Sequence, residues 1–325
     1  RVKLAESATS NLRSNSDQDN LDCMVVCSHS HSQSTSGVMV SILRLAVTLM
    51  LCSTPSLLAA QRQALLVVAH GADSGWNNRV RAVVCAVEWH RGPVELAFLM
   101  GPEAVVTSWD SAIDRISAAG VDSLVVVPLM VSSHGAHTRQ IEYYAGLLSE
   151  LPSELAAHHH GGGPRRPQVP VRVTAALDAA PELGQILLDR WREQSVEDRA
   201  RPVVLVAHGP TSDGDAARWE SELMAANAPL AEAIAPLPLR IGLLRDDAPP
   251  AERARAVTAI RDTIGALASR HPDSVLVMTV LISTSGINRV RVPNDLADTP
   301  MRYAGVVLSP HPALSRWIER VAAGH

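Results

Sequence analysis

The chain has 325 residues, 46% of them hydrophobic and only 3% aromatic, enough for about two domains with largely aliphatic cores. A formal charge of −4 argues against a nucleic-acid partner, which would call for a basic face.

Residues 1–38 are rich in Ser, Asn, Gln and Asp and lack apolar periodicity, so they read as a disordered leader or an untranslated upstream region. Cys23, Cys27, His29 and His31 have the donor types of a zinc site, but such a site needs a fold around it, which favours the polar leader. The text changes at Met39. A positive start through Arg44, an apolar stretch from Leu45 to Cys52 and Leu58-Ala59-Ala60, which ends in small residues, mark residues 39–60 as a signal peptide, too short for a comfortable membrane span. The expectation is a periplasmic or secreted protein beginning near Gln61 if this signal is used, and a cytoplasmic one otherwise. A buried amino-terminal helix is the competing reading of the same residues. Beyond residue 60 the only cysteine is Cys85, so no disulfide can close within that part.

The segment from Ala64 to Ala69 is a continuous apolar run ending in His70-Gly71, the pattern of a strand buried on both faces of a parallel sheet. A helix is predicted over 79–90, a second strand over 94–100, a helix over 103–119 and a third strand over 121–127. Pro128 then opens a loop, Leu129-Met-Val-Ser-Ser133-His134-Gly-Ala-His137, that leads into a helix reaching about Leu151. Residues 152–170 carry His158 to His160 and three glycines, and read as a surface excursion. A fourth strand over 171–177 and a helix over 181–194 close the unit.

The order then repeats. Strands are expected over 203–207, 237–243, 274–281 and 304–308, with helices over 215–233, 250–269 and 313–322 and a partly helical loop after Asn288. The phrase Ala-His-Gly returns at His208-Gly209, Ile282-Ser-Thr284 matches Val131-Ser-Ser133, and Ser309 to Pro312 matches Asp178 to Pro181. The fold class expected is α/β, with tandem domains over 61–197 and 198–325, each a four-stranded, mainly parallel sheet flanked by helices.

Open α/β sheets bind ligands at the carboxyl ends of their strands. His70, His134 and His137 lie on two such ends of the first unit, and three imidazoles there suit a first-row divalent metal with open positions for a substrate. Glu142, placed at a helix start, supplies either a carboxylate for substrate or a charge complementary to the helix dipole. The second unit keeps His208 but has Ser285 and Asn288 where the first has His134 and His137. It reads as a degenerate copy in which His208, with Arg289 and Arg291, faces acidic groups of a substrate or simply solvent. No phosphate-cradling glycine loop is present, so no nucleotide is expected. A phosphohistidine enzyme would need an arginine before the histidine, and that residue is Ala69.

These residues resemble a family, the CbiX-type class II sirohydrochlorin chelatases, in their tandem two-domain form. The resemblance rests on Leu65-Leu-Val-Val-Ala-His70-Gly71, on Val125-Val-Val-Pro128-Leu-Met-Val-Ser-Ser133 with the histidines that follow, and on the repeat, and it covers 63–323. It implies a lyase that inserts cobalt, ferrous iron or nickel into an acidic tetrapyrrole lying between the halves. It also implies that His70 and either His134 or His137 face each other across it. In that picture His70 acts as ligand and proton acceptor, and His134 and His137 deliver the metal. The alternative is an exported, non-catalytic metal-binding protein on the same fold.

Overall fold

The computed structural model describes residues 61–156, 163–271 and 274–325. The leader, the Met39 segment, the cluster from Cys23 to His31, and His158 to His160 lie outside the described residues.

Two four-stranded sheets form, both entirely parallel. The first comprises β1 (Gln63–Ala69), β2 (Val94–Phe98), β3 (Ser123–Pro128) and β4 (Val171–Val173), in the order β2-β1-β3-β4. The second comprises β5 (Val203–Ala207), β6 (Leu239–Leu243), β7 (Val275–Val280) and β8 (Met301–Tyr303), in the order β6-β5-β7-β8. The central strands explain the unbroken apolar runs in the sequence. Successive side chains point to opposite faces, and both faces of β1 are covered. Leu65, Val67 and Ala69 enter one core, while Ala64, Leu66 and Val68 enter another. Strand β5 divides in the same way, with Val203, Leu205 and Ala207 on one side and Val204 and Val206 on the other.

The helices sort into layers accordingly. α1 (Ser74–Cys85), α4 (Pro181–Arg192), α5 (Asp213–Ala226), α6 (Ala228–Ile234) and α8 (Pro312–Ala323) bury Val80, Leu187, Leu223, Leu230 and Trp317 in one central core fed by both sheets. α2 (Trp109–Ala118) and α3 (Ala136–Ala145) cover the outer face of the first sheet through Ile113 and Ile141. α7 (Pro250–Ala268) covers the outer face of the second through Ile260 and Ile264. The two sheets therefore share a core, and residues 60–325 form one compact unit. No described helix is long and apolar enough to cross a membrane.

Several element boundaries differ from the sequence-based expectations, each for a local reason. The helix expected over 79–90 begins at Ser74, because the Asp73 side chain accepts from the Trp76 amide, a cap typically worth about 1 kcal/mol. The helix expected over 103–119 splits into a short 3₁₀ turn, Pro102–Val105, and α2, which Ser108 caps by accepting from the Ser111 amide. The helix after the Pro128 loop ends at Ala145, where Gly146 takes a left-handed conformation, rather than near Leu151. The single helix expected over 215–233 breaks at Asn227, two residues before Pro229. The last strand lies at Met301–Tyr303, ahead of Gly305, and not over 304–308.

Candidate functional site

Strand β1 delivers His70 to the carboxyl edge of the first sheet. There the chain continues the β2 pairing for two residues: the Leu99 and Met100 amides donate to the Ala69 and His70 carbonyls, at 3.0 and 2.9 Å. Gly71 turns the chain away with φ +85°, and a Cβ there would lie 2.2 Å from the Met100 carbonyl oxygen. Only glycine meets both demands. The His70 Nδ1–H donates to the Gly71 carbonyl at 2.8 Å, which leaves the lone pair on Nε2.

The loop after β3 is braced before it reaches α3. The Ser133 hydroxyl donates to Asp178 at 2.7 Å, and the Thr138 hydroxyl donates to the Ser132 carbonyl at 3.1 Å. His137, on the first turn of α3, stands edge-on to His70 with ring centroids 4.9 Å apart and an interplanar angle of 87°. Its Nδ1–H donates to Gln140 Oε1 at 3.0 Å, so its lone pair also sits on Nε2. Burial, followed by the neighbouring His137, lowers the His70 pKa to about 4. Burial is likewise the main cause that lowers His137. Both rings are thus neutral near pH 7, the form that ligates metals.

His134 takes a different direction. Its Nε2–H donates to Glu222 Oε1 of α5 at 2.9 Å, and its carbonyl accepts from the Trp219 indole at 2.7 Å. Of the two loop histidines, the structure brings His137 to His70 and turns His134 to the second half. Among the described residues, no group of three or more His, Cys, Asp or Glu is gathered to hold a metal ion. What stands at the first sheet is a pair of imidazoles.

The second sheet repeats the strand-end geometry. Gly209 turns with φ +75°, and the His208 Nδ1–H donates to the Gly209 carbonyl at 3.0 Å. His208 Nε2 lies 3.7 Å from the exposed carboxylate of Asp247. The charges of His208 and Asp247 act on both His70 and His137, which puts the two strand ends in one electrostatic environment. Asn288, at the position matching His137, is buried and tied to the Ser285 amide at 2.7 Å and the Gly305 carbonyl at 3.2 Å. The two arginines beside it are engaged: Arg289 pairs with Asp73 at 3.2 Å, and Arg291 pairs with the buried Asp246.

Glu142 lies not at a helix start but in the second half of α3, which begins at Ala136, so its charge does not complement the helix dipole. Three residues with partners at the site were not singled out from the sequence: Gln140, Glu222 and Asp247. Gln140 had a readable signal, since i and i+3 share a helix face. Glu222 and Asp247 come from distant segments and gave none.

Two parallel sheets flanked by helices, with a histidine pair at the carboxyl edge of the first, define a chelatase-like fold. Residues 64–194 match the CbiX family model. Among solved structures, the sirohydrochlorin chelatase SirB from Bacillus subtilis subspecies spizizenii in complex with cobalt aligns with a TM-score of 0.53 at 16% identity. That match covers 81% of this chain and 94% of that one. SirB from Bacillus subtilis with Fe3+ aligns with a TM-score of 0.51 at 17% identity, covering 81% of this chain and 96% of that one. At these identities the likeness establishes a shared fold. No curated protein matches in sequence.

Proposed function

We propose that the protein inserts a divalent metal, cobalt or ferrous iron, into a sirohydrochlorin-type tetrapyrrole, with His70 and His137 as the ligands that take the ion from water. The observation that carries this reading is the edge-on pair of partly buried, neutral imidazoles, each with Nδ1–H engaged and Nε2 left as the donor. Two ligands from the protein leave the ion's remaining positions for the macrocycle nitrogens.

Insertion replaces two pyrrole N–H bonds by bonds to the metal and releases two protons. A His70 pKa of about 4 makes this ring a better ligand than base near neutrality, because a base works best when its pKa lies near the working pH. His70 Nε2 takes up a proton only after the ion has left it for the macrocycle, and both protons end in solvent. His208 and Asp247 face the same environment from the second half and contact the substrate there. The tandem layout reads as a duplication in which only the first copy kept the histidine pair. We also propose export through the Met39 signal, which a reporter fused after residue 60 would reveal by its compartment.

The rival reading is a metal carrier that catalyses nothing. It is favoured by the absence of a histidine pair in the second half, where the buried Asn288 serves the loop. The deciding experiment is anaerobic insertion of Co2+ or Fe2+ into sirohydrochlorin, followed by absorbance against the protein-free rate. Acceleration lost in both His70→Ala and His137→Ala supports the chelatase. Stoichiometric Co2+ binding without acceleration makes the protein a carrier.

A further inference from the structure

The proposed ligands differ in how their orientation is held. His70 is locked by its own chain, through the carbonyl of the next residue at 2.8 Å. His137 has no such backbone partner for its Nδ1. Its Nδ1–H goes to the side chain of Gln140 at 3.0 Å, and the Gln140 amide in turn donates to the Tyr144 hydroxyl at 2.9 Å. The three residues lie three and four positions apart on α3, so they form one ladder along a single helix face. Gln140 is only 8% exposed, and the Tyr144 ring packs edge-on to Trp109 with centroids 5.6 Å apart. The far end of the ladder is therefore fixed in the outer core.

The direction of the Gln140 amide has a chemical consequence. With its NH2 on Tyr144, its oxygen faces His137 and accepts a proton bond from Nδ1. The opposite orientation would present N–H to Nδ1, place the imidazole proton on Nε2 and remove the lone pair from the site. The second half carries an internal comparison. The positions matching His137 and Gln140 are Asn288 and Arg291, and Arg291 is committed to Asp246. Where the imidazole is missing, so is the glutamine.

We propose that Gln140, oriented by Tyr144, is the positioning residue that sets the His137 tautomer and so keeps Nε2 available as a metal donor. This rests on the chelatase reading for its purpose but not for its test. Outer partners of ligating histidines are typically worth roughly 10–100-fold in metal affinity.

The test uses the metal-free full chain and long-range 1H–15N correlation of its imidazoles at pH 7.5, with His137 assigned by its loss in His137→Ala. In the wild type, His137 shows the Nδ1–H pattern. Gln140→Met, close in shape but without the acceptor, should shift His137 toward the Nε2–H pattern and leave His70 unchanged. Gln140→Glu, which keeps an acceptor oxygen, should restore the wild-type pattern. Tyr144→Phe provides an independent route to the same shift if Gln140→Met does not fold. Co2+ titration should show roughly 10–100-fold weaker binding in Gln140→Met and recovery in Gln140→Glu. An unchanged His137 pattern in Gln140→Met, or in Tyr144→Phe where that variant stands in, overturns the proposal. If the wild type binds no Co2+, the chelatase reading fails, and the tautomer pattern by itself still decides the role of Gln140.

Discussion

His134 of the β3 loop and Glu222 of α5 meet at 2.9 Å, joining the first sheet's carboxyl edge to a helix of the second half. Both side chains are about one-quarter exposed, at 27% and 25%, so water weakens the pair without removing it. The Trp219 indole, bonded to the His134 carbonyl at 2.7 Å, reinforces the same junction. A double-mutant cycle of His134→Ala and Glu222→Ala should give a coupling of about 0.5–1 kcal/mol in denaturant unfolding. Co2+ binding should persist in both single variants. Loss of binding in His134→Ala would return His134 to the ligand set.

The two halves also meet where α4 crosses the end of α5. A Cβ on Gly184 would lie 1.9 Å from the Ala226 carbonyl oxygen, a backbone atom that no rotamer change can move aside. Gly184→Ala should therefore destabilise the fold by at least about 2 kcal/mol, despite the better helix propensity of alanine. The check is the midpoint of guanidinium unfolding. An unchanged midpoint would mean that the helices separate freely.

Gly71 combines a left-handed φ of +85° with a backbone oxygen where its side chain would go. Gly71→Ala must shift the His70 turn or the strand end beside it. It should lower Co2+ affinity at least about tenfold while far-UV circular dichroism stays close to the wild type. Gly120→Ala, also at positive φ but with open space around it, should leave binding unchanged and lose only stability.

The partly buried His70 ties stability to pH. Its folded-state pKa is about 4 against an ordinary value of 6.5, so between these values the unfolded chain binds the proton and the folded one does not. Stability contributed by this group is complete above about pH 6.5 and falls as the pH drops toward 4. The linkage amounts to about 2 kcal/mol between pH 7 and pH 5. Guanidinium unfolding at the two pH values should show this loss in the wild type and a smaller one in His70→Ala. Equal losses in both would place the titrating group elsewhere.

Much of the sheet layout was legible because it is written locally. An unbroken apolar run such as Leu65 to Ala69 has no polar face to expose, and it suits only a strand covered on both sides. Element ends were harder to read. The start of α1 depends on one capping aspartate, and the split at Asn227 depends on a proline two residues on. The site was legible only in part. The sequence puts His134 and His137 on one loop, yet neither spacing nor residue type says which ring turns toward His70.

By itself the sequence determined the parallel strands, the two histidine-glycine strand ends and the residue types that gather there, because apolar runs and glycine turns act over a few neighbouring residues. Only the tertiary structure decided that His137 meets His70 while His134 goes to Glu222, 88 residues away. It alone also merged the inner faces of both sheets into one core. The physical reason is range. Hydrogen-bond partners and packing faces supplied by distant segments decide where a side chain points, and no local pattern carries that information.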